Sequence, residues 1–385
     1  MFLEHLELKN FRNYRELSLD FDPAYNVLLG GNAQGKTNIV EAIYLASCAR
    51  SHRTAKDKEL ILHGEDFYEI FLKFRRENGS EDSLRIRYEE NNGRRSIFQG
   101  SFPLEKLADL FGIFHAVIFA PEDLMLIKNG PSERRRFLDI LISQLSPQYF
   151  RQLQIYQKLL KQRNTMLKQL RDQNKHYQDS SVKEMRRLSL QIWDEQLAKS
   201  AAFILKKRAE ITDELALYAK ESLSHLSSEK EDLKLIYKPS QRLDLNESEE
   251  ELSLSFAQHL SLQRNEDIQR GYTSLGPHRD DLFIFINGLE AQTYASQGQQ
   301  RSIVLALKSA ELKILEEHCS MKPVLLLDDV MSELDANRRD SLFQLILENQ
   351  VFITTTEWQQ AGNNTNLPKN SHAFFEVKNA DVRKL

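Results

Sequence analysis

Gly30-Gly31-Asn32-Ala33-Gln34-Gly35-Lys36-Thr37 has the spacing G-x-x-x-x-G-K-[ST]. The apolar segment Asn26-Val27-Leu28-Leu29 before it reads as a strand, and Asn38 to Ala49 after it reads as a helix. A strand, a glycine-rich turn and a helix in that order commit the chain to an α/β architecture. Small residues let successive backbone N–H groups point at one anion, and the following helix turns its positive end toward the same place. Lys36 adds a full charge for β- and γ-phosphate oxygens, and the Thr37 hydroxyl is placed to ligate a bridging Mg²⁺. Every residue from Gly30 to Thr37 is therefore a candidate nucleotide contact.

With 41% hydrophobic and 28% charged residues over 385 positions, the chain can bury the cores of two or three domains. Cys48 and Cys319 are too few for a disulfide framework and lack metal-ligand spacing. They point to a reducing compartment, and a cytoplasmic protein is expected. No apolar run approaches the roughly 20 residues that span a bilayer, so no membrane partner is expected. The net charge of −4 means that affinity for nucleic acid has to come from a local basic surface.

Alternating apolar residues predict strands over residues 1–29, Tyr68 to Phe74 and Leu84 to Tyr88. From Ser132 to about Leu226 the pattern changes to long polar helices, interrupted by a polar, turn-favouring stretch at Arg171 to Val182. The acidic tract Asp244 to Glu251 reads as a solvated loop or a helix start. Beyond it, Phe283 to Ile286 with an Asn287-Gly288 turn, a helix over Ile303 to Cys319, and strands at Val324 to Leu327 and Val351 to Thr354 return the chain to α/β character.

Val324-Leu325-Leu326-Leu327-Asp328-Asp329 is an apolar run ending in two acids, as a buried parallel strand does when its tip reaches a ligand. Asp328 is the expected Mg²⁺ partner, and Asp329 is poised to orient or deprotonate an attacking water. Lys36, Asp328 and Asp329 are thus the candidate catalytic residues. Ser296-Gln297-Gly298-Gln299 precedes a strongly apolar helix, which reads either as an N-cap or as an anion site at a helix N-terminus.

In that order, the GxxxxGKT loop, the Ser-x-Gly-Gln signature, the LLLDD strand and Ser332-Glu333-Leu334-Asp335 resemble the ABC-type heads of the Rad50 and SMC proteins. Closer still is a resemblance to the RecF family of bacterial recombination mediators. It is carried by Asn10 to Tyr14, Phe119 to Leu124, Arg134 to Asp139 and Gly276 to Leu282, and it covers essentially the whole chain. The implied fold is a P-loop NTPase of the ABC/SMC head type, with a head at 1–120 and 270–385. An inserted helical arm would occupy 121–269, too short for a long coiled coil.

The resemblance also implies an ATP-driven homodimer in which Ser296, Gly298 and Gln299 of one subunit meet the γ-phosphate held by another. It brings Arg12 to the nucleotide from the first hairpin, sets Asp335 in a loop crossing the dimer interface, and makes Thr355 a γ-phosphate sensor. The signature Ser-Gln-Gly-Gln departs from the transporter form, Asp329 replaces the commoner glutamate, and no residue after Phe119 matches the family's metal-contacting glutamine. Implied partners are double-stranded and gapped DNA, RecR and RecO, with RecA loading as the outcome and ATP hydrolysis as the reset. The alternatives are a chromosome-organising SMC/Rad50-like head and a transporter ATPase subunit. On the second long helix Lys206, Lys207 and Arg208 are the candidate DNA contacts, because duplex phosphates neutralise such a basic run.

Overall fold

The computed structural model describes residues 1–173, 180–227, 231–319, 321–345, 348–356 and 372–385. In chain order it begins β1 (Phe2–Phe11), β2 (Tyr14–Asp20), β3 (Tyr25–Leu29), α1 (Lys36–Cys48), β4 (Phe67–Arg75), β5 (Glu81–Glu89), β6 (Arg94–Gln99), β7 (Phe102–Pro103) and β8 (Ala116–Phe119). Helices α2 (Met125–Lys128), α3 (Pro131–Leu145), α4 (Pro147–Gln173) and α5 (Ser180–Ser227) follow, then β9 (Leu233–Lys238), α6 (Glu249–Arg270), β10 (Asp281–Ile286) and β11 (Leu289–Glu290). The chain ends with α7 (Ala291–Tyr294), α8 (Gln297–Cys319), β12 (Val324–Asp328), α9 (Ala336–Leu345), β13 (Val351–Thr355), β14 (His372–Lys378) and β15 (Asp381–Lys384).

Two compact units result, one of Met1–Lys128, Leu217–Leu233 and Ile286–Leu385, the other of Asn129–Ala216 and Lys234–Phe285. The first holds two six-stranded sheets. One has the order β15-β14-β3-β13-β12-β8, in which β3 lies parallel between β13 and β14, and β12 lies parallel between β13 and β8. Every residue of β8, β12 and β13 is buried, which accounts for their unbroken apolar sequences in place of an alternating pattern. The other sheet, β2-β1-β4-β5-β6-β7, is an antiparallel meander whose strands alternate in and out as the sequence predicts.

The second unit is mostly helical. The stretch expected to turn between α4 and α5 falls on residues 174–179, outside the described residues. The acidic tract is a helix start. Ser248 caps α6 in a reciprocal capping box with Glu251, and Glu249, Glu250 and Glu251 set their charges against the positive end of the helix. Its core is unusual in being pinned by arginines. Arg163 of α4 donates to Asp194 of α5 at 2.7 Å, to Asp267 of α6 at 2.7 Å and to Thr273 at 2.8 Å. Among the described residues no helix is long and apolar enough to cross a membrane.

Candidate nucleotide-binding site

The site lies at the C-terminal tips of β3, β12 and β13, where a parallel sheet opens toward ligands. The loop after β3 is shaped by neighbours as much as by its own sequence. A Cβ on Gly30 would fall 2.2 Å from the Val377 carbonyl oxygen of β14, so only glycine lets the two backbones approach. Gly35 has φ +119°, and a Cβ there would meet the Tyr14 hydroxyl at 2.6 Å and Asn13 Nδ2 at 2.9 Å. Asn13 Nδ2 also donates to the Gln34 carbonyl at 3.3 Å, and the Ala380 N–H does so at 3.1 Å. The loop is therefore held between the first hairpin and the β14–β15 hairpin.

Lys36 opens α1 with its ammonium folded back over the loop, donating to the carbonyls of Gly30 at 2.6 Å and Gly31 at 2.8 Å. Burial lowers its pKa, and the charges of Asp329 and Asp328 act in the opposite direction. Thr37, one residue on, donates to Asp328 Oδ1 at 2.9 Å. The Thr354 hydroxyl donates to the same oxygen at 2.7 Å and accepts from the Asp329 N–H at 2.9 Å. Burial raises the Asp328 pKa, and the hydrogen bonds from Thr354 and Thr37 offset part of that rise. Asp329 is exposed and adopts φ 53°, a left-handed turn that sends the chain away from Asp328 immediately after the strand.

These donors suit a small hard cation. Among the described residues no group of three or more His, Cys, Asp or Glu side chains is placed to hold a metal ion, and a carboxylate beside a hydroxyl is a sparse set. Mg²⁺ tolerates such a set because it keeps several waters and takes remaining ligands from phosphate oxygens.

The signature residues form the start of α8. The Ser296 N–H donates to Gln299 Oε1 at 2.9 Å, and its hydroxyl accepts from the Gln299 N–H at 3.3 Å, so Ser296 does cap the helix. Its side chain is exposed, as is Gln297. Arg338 of α9 fastens this turn from behind, donating to the Gly298 carbonyl at 3.2 Å, Ser302 Oγ at 3.0 Å and Asp335 Oδ2 at 2.6 Å.

The remaining candidates have the following contacts. The side chain at Asp328 is that of Thr354, while the Thr355 carbonyl accepts from the Gly30 N–H at 3.4 Å. Arg12 spends its guanidinium on Glu41, with Nε and Nη2 at 2.8 and 2.6 Å from the two carboxylate oxygens. The placement of Arg208 on a DNA-facing surface is corrected: it is 2% exposed and donates to Asp139 Oδ1 at 2.8 Å, Tyr149 Oη at 3.0 Å and the Pro277 carbonyl at 2.7 Å. A guanidinium buried among these acceptors cannot reach a duplex. Lys206 donates to the Glu247 carbonyl at 3.0 Å and Lys207 pairs with Glu210 at 2.6 Å, so the three basic residues form no common open face. Arg134 likewise holds Asp281 through two bonds of 2.7 and 2.8 Å. Sequence reading missed Glu41, Thr354 and Arg338 as site residues; the first two lay in segments already singled out and Arg338 just beyond one, and no pattern marked the partner of any of them.

Residues 2–374 match the family described as RecF/RecN/SMC N terminal domain. The DNA replication and repair protein RecF of Ruminiclostridium cellulolyticum is 40% identical over 382 residues, 99% of each chain. Its counterpart in Halalkalibacterium halodurans is 40% identical over 385 residues, the whole of both. The solved recombination mediator protein RecF with ATP in the RecFOR pathway superposes with a TM-score of 0.89 at 35% identity, covering 100% of this chain and 97% of that one. An Smc head domain from Pyrococcus furiosus shares 17% identity with a TM-score of 0.54, covering 100% of this chain and 96% of that one, a likeness of fold. The expected fold class, a P-loop NTPase head of the ABC/SMC type with an inserted helical body, is borne out. Identity of this extent over the full length, within the wider group that the family match defines, means that the chain belongs to the RecF family.

Proposed function

We propose that the chain is an ATP-dependent DNA-binding protein of recombinational repair, acting in the cytoplasm as an ATP-driven homodimer. The observation that carries this reading is the cluster of Thr37, Asp328 and Thr354 at hydrogen-bonding distance beside the phosphate loop, with the Ser296 cap exposed on the same unit. The loop N–H groups and Lys36 bind the phosphates, Thr37 and Asp328 hold Mg²⁺, and Asp329 orients water for hydrolysis. When bound, Mg²⁺ would supply positive charge that offsets the charge on the phosphates. Ser296, Gly298 and Gln299 complete the site of a second copy, with Thr355 and Asp335 near the γ-phosphate and the subunit boundary.

Closure and reopening couple nucleotide state to DNA affinity, because a ligand shifts an equilibrium only through its differential affinity for the two states. Double-stranded and gapped DNA are the proposed substrates, bound independently of sequence. RecR and RecO are the proposed partners in helping to load RecA, and weak DNA-stimulated ATP hydrolysis is the reset. The ATP-bound RecF solved in the RecFOR pathway supports the ATP and pathway parts of this reading.

Two measurements test it. Ser296→Arg places a long cation where a second copy would close, and leaves the phosphate loop untouched. ATP binding by equilibrium dialysis should match the unmodified chain, and sedimentation velocity with ATP should show monomer only; an ATP-dependent dimer of the variant refutes the trans contact. Titration of duplex, single-stranded and gapped DNA with ATP, ADP and no nucleotide should show tighter binding with ATP that weakens steeply with salt. Equal affinity in all three nucleotide conditions refutes the switch.

A further inference from the structure

Glu41 lies on α1 one turn beyond Thr37, on the same side of the helix, and is fully buried. Three segments meet at its carboxylate. Arg12, in the turn between β1 and β2 with φ 55°, grips it with two bonds of 2.8 and 2.6 Å. Ser51 donates its hydroxyl to Oε1, and Arg53 Nη1 stands 3.5 Å from Oε2. The same Arg53 nitrogen donates to Asn38 Oδ1 at 3.0 Å, and Asn38 Nδ2 donates to Asn13 Oδ1 at 2.7 Å. Side chains thus run in a closed circuit from the 12–13 turn, through α1 and the 51–53 segment, and back to the turn.

That turn abuts the phosphate loop, since Asn13 donates to the Gln34 carbonyl and the space beside Gly35 is taken by Asn13 and Tyr14. Of the five N–H groups on Arg12, the described contacts use three: two on Glu41 and one, at 2.9 Å, on the Glu59 carbonyl. Its side chain keeps 19% exposure. Through its bond to Asn38, the residue after Thr37, the second cation, Arg53, also borders the start of α1 beside the phosphate loop.

We infer that Glu41 is a positioning residue for nucleotide binding, holding Arg12 and Arg53 so that their spare donors and charge face an anionic ligand in the phosphate loop. This rests on the proposal that the loop binds ATP. Glu41 itself touches no ligand and acts through the arginines. A guanidinium fixed by a two-point fork has little orientation left to lose when it meets a phosphate.

The test is a double-mutant cycle on the full chain, with MgATP as the probe in isothermal titration calorimetry and melting followed separately. Glu41→Gln keeps the size but loses the charge, and should weaken MgATP binding roughly tenfold. The paired change Arg12→Ala with Arg53→Ala should weaken it at least as much, and adding Glu41→Gln to that pair should cost little more, because both residues through which it acts are already gone. Losses that simply add, or a Glu41→Gln variant that binds like the unmodified chain, overturn the inference. Should Glu41→Gln fail to fold, Arg12→Lys decides alone: it keeps the charge and Glu41 but not the fork. A roughly tenfold loss upholds the inference, and unchanged binding overturns it. If the unmodified chain binds no MgATP, the function proposed above fails.

Discussion

Lys36→Ala should leave a chain that folds but stays monomeric when ATP is added. Its ammonium is held by two loop carbonyls inside a largely buried pocket, close enough to Asp328 and Asp329 to feel their charge. A nucleotide phosphate replaces those carbonyls with charged acceptors, and hydrogen bonds between charged groups contribute about 1.5–3 kcal/mol each. The remaining cradle has the loop N–H groups and the helix dipole, equivalent to roughly half a charge. Losing two such bonds lowers ATP affinity by roughly a hundredfold or more. Sedimentation velocity with saturating ATP should show dimer for the unmodified chain and monomer for Lys36→Ala, at unchanged melting temperature. A variant that dimerises with ATP like the unmodified chain would remove the phosphate loop from the switch.

Arg163→Ala should produce the largest loss of stability in the helical unit. The guanidinium has no exposed surface and satisfies two carboxylates at once, those of Asp194 and Asp267. Among the described residues, removing it leaves Asp194 with Arg264, at 2.8 Å, and Asp267 with the backbone and hydroxyl of Ser274. Deleting one partner of a buried ionic cluster costs about 3–5 kcal/mol, because the stranded charge is no longer compensated. In calorimetry the helical unit should unfold roughly 10 °C earlier, at the usual 2–4 °C per kcal/mol for a body of this size. Replacing Arg163, Asp194 and Asp267 together with apolar residues of similar volume should recover most of the loss. An unchanged melting profile for Arg163→Ala would mean that the cluster is not holding the three helices together.

The sequence conveyed the head well because its signals are local. The strand, loop and helix from Tyr25 to Cys48 are contiguous, and an apolar strand ending in Asp328 announces its own tip. What escaped notice depended on partners far along the chain. Arg208 reads as part of a basic run on a helix, yet its acceptors Asp139 and Pro277 each lie 69 positions away. Glu41 falls in a run that reads simply as a helix, but α1 is enclosed around its circumference from Ile39 onward, so the Glu41 carboxylate is a hub and not a surface. That Thr354 stands beside Asp328 is likewise not legible from the run of threonines. Side chains alternate faces there, and only the register against Asp328 selects which threonine meets the carboxylate.

The clamp on the phosphate loop has a consequence for how the chain is made. Strand β3 has β13 on one side and β14 on the other, and Asn379 donates its N–H to Gln34 across 345 positions. A ribosome that has just released the Gly-Lys-Thr segment has produced a loop with neither flanking strand nor its outer clasp. At ordinary elongation rates those arrive roughly tens of seconds later. Until then the nascent polypeptide carries a recognisable motif without a working cradle, so nucleotide capture is expected to wait until β13, β14 and Asn379 have been made.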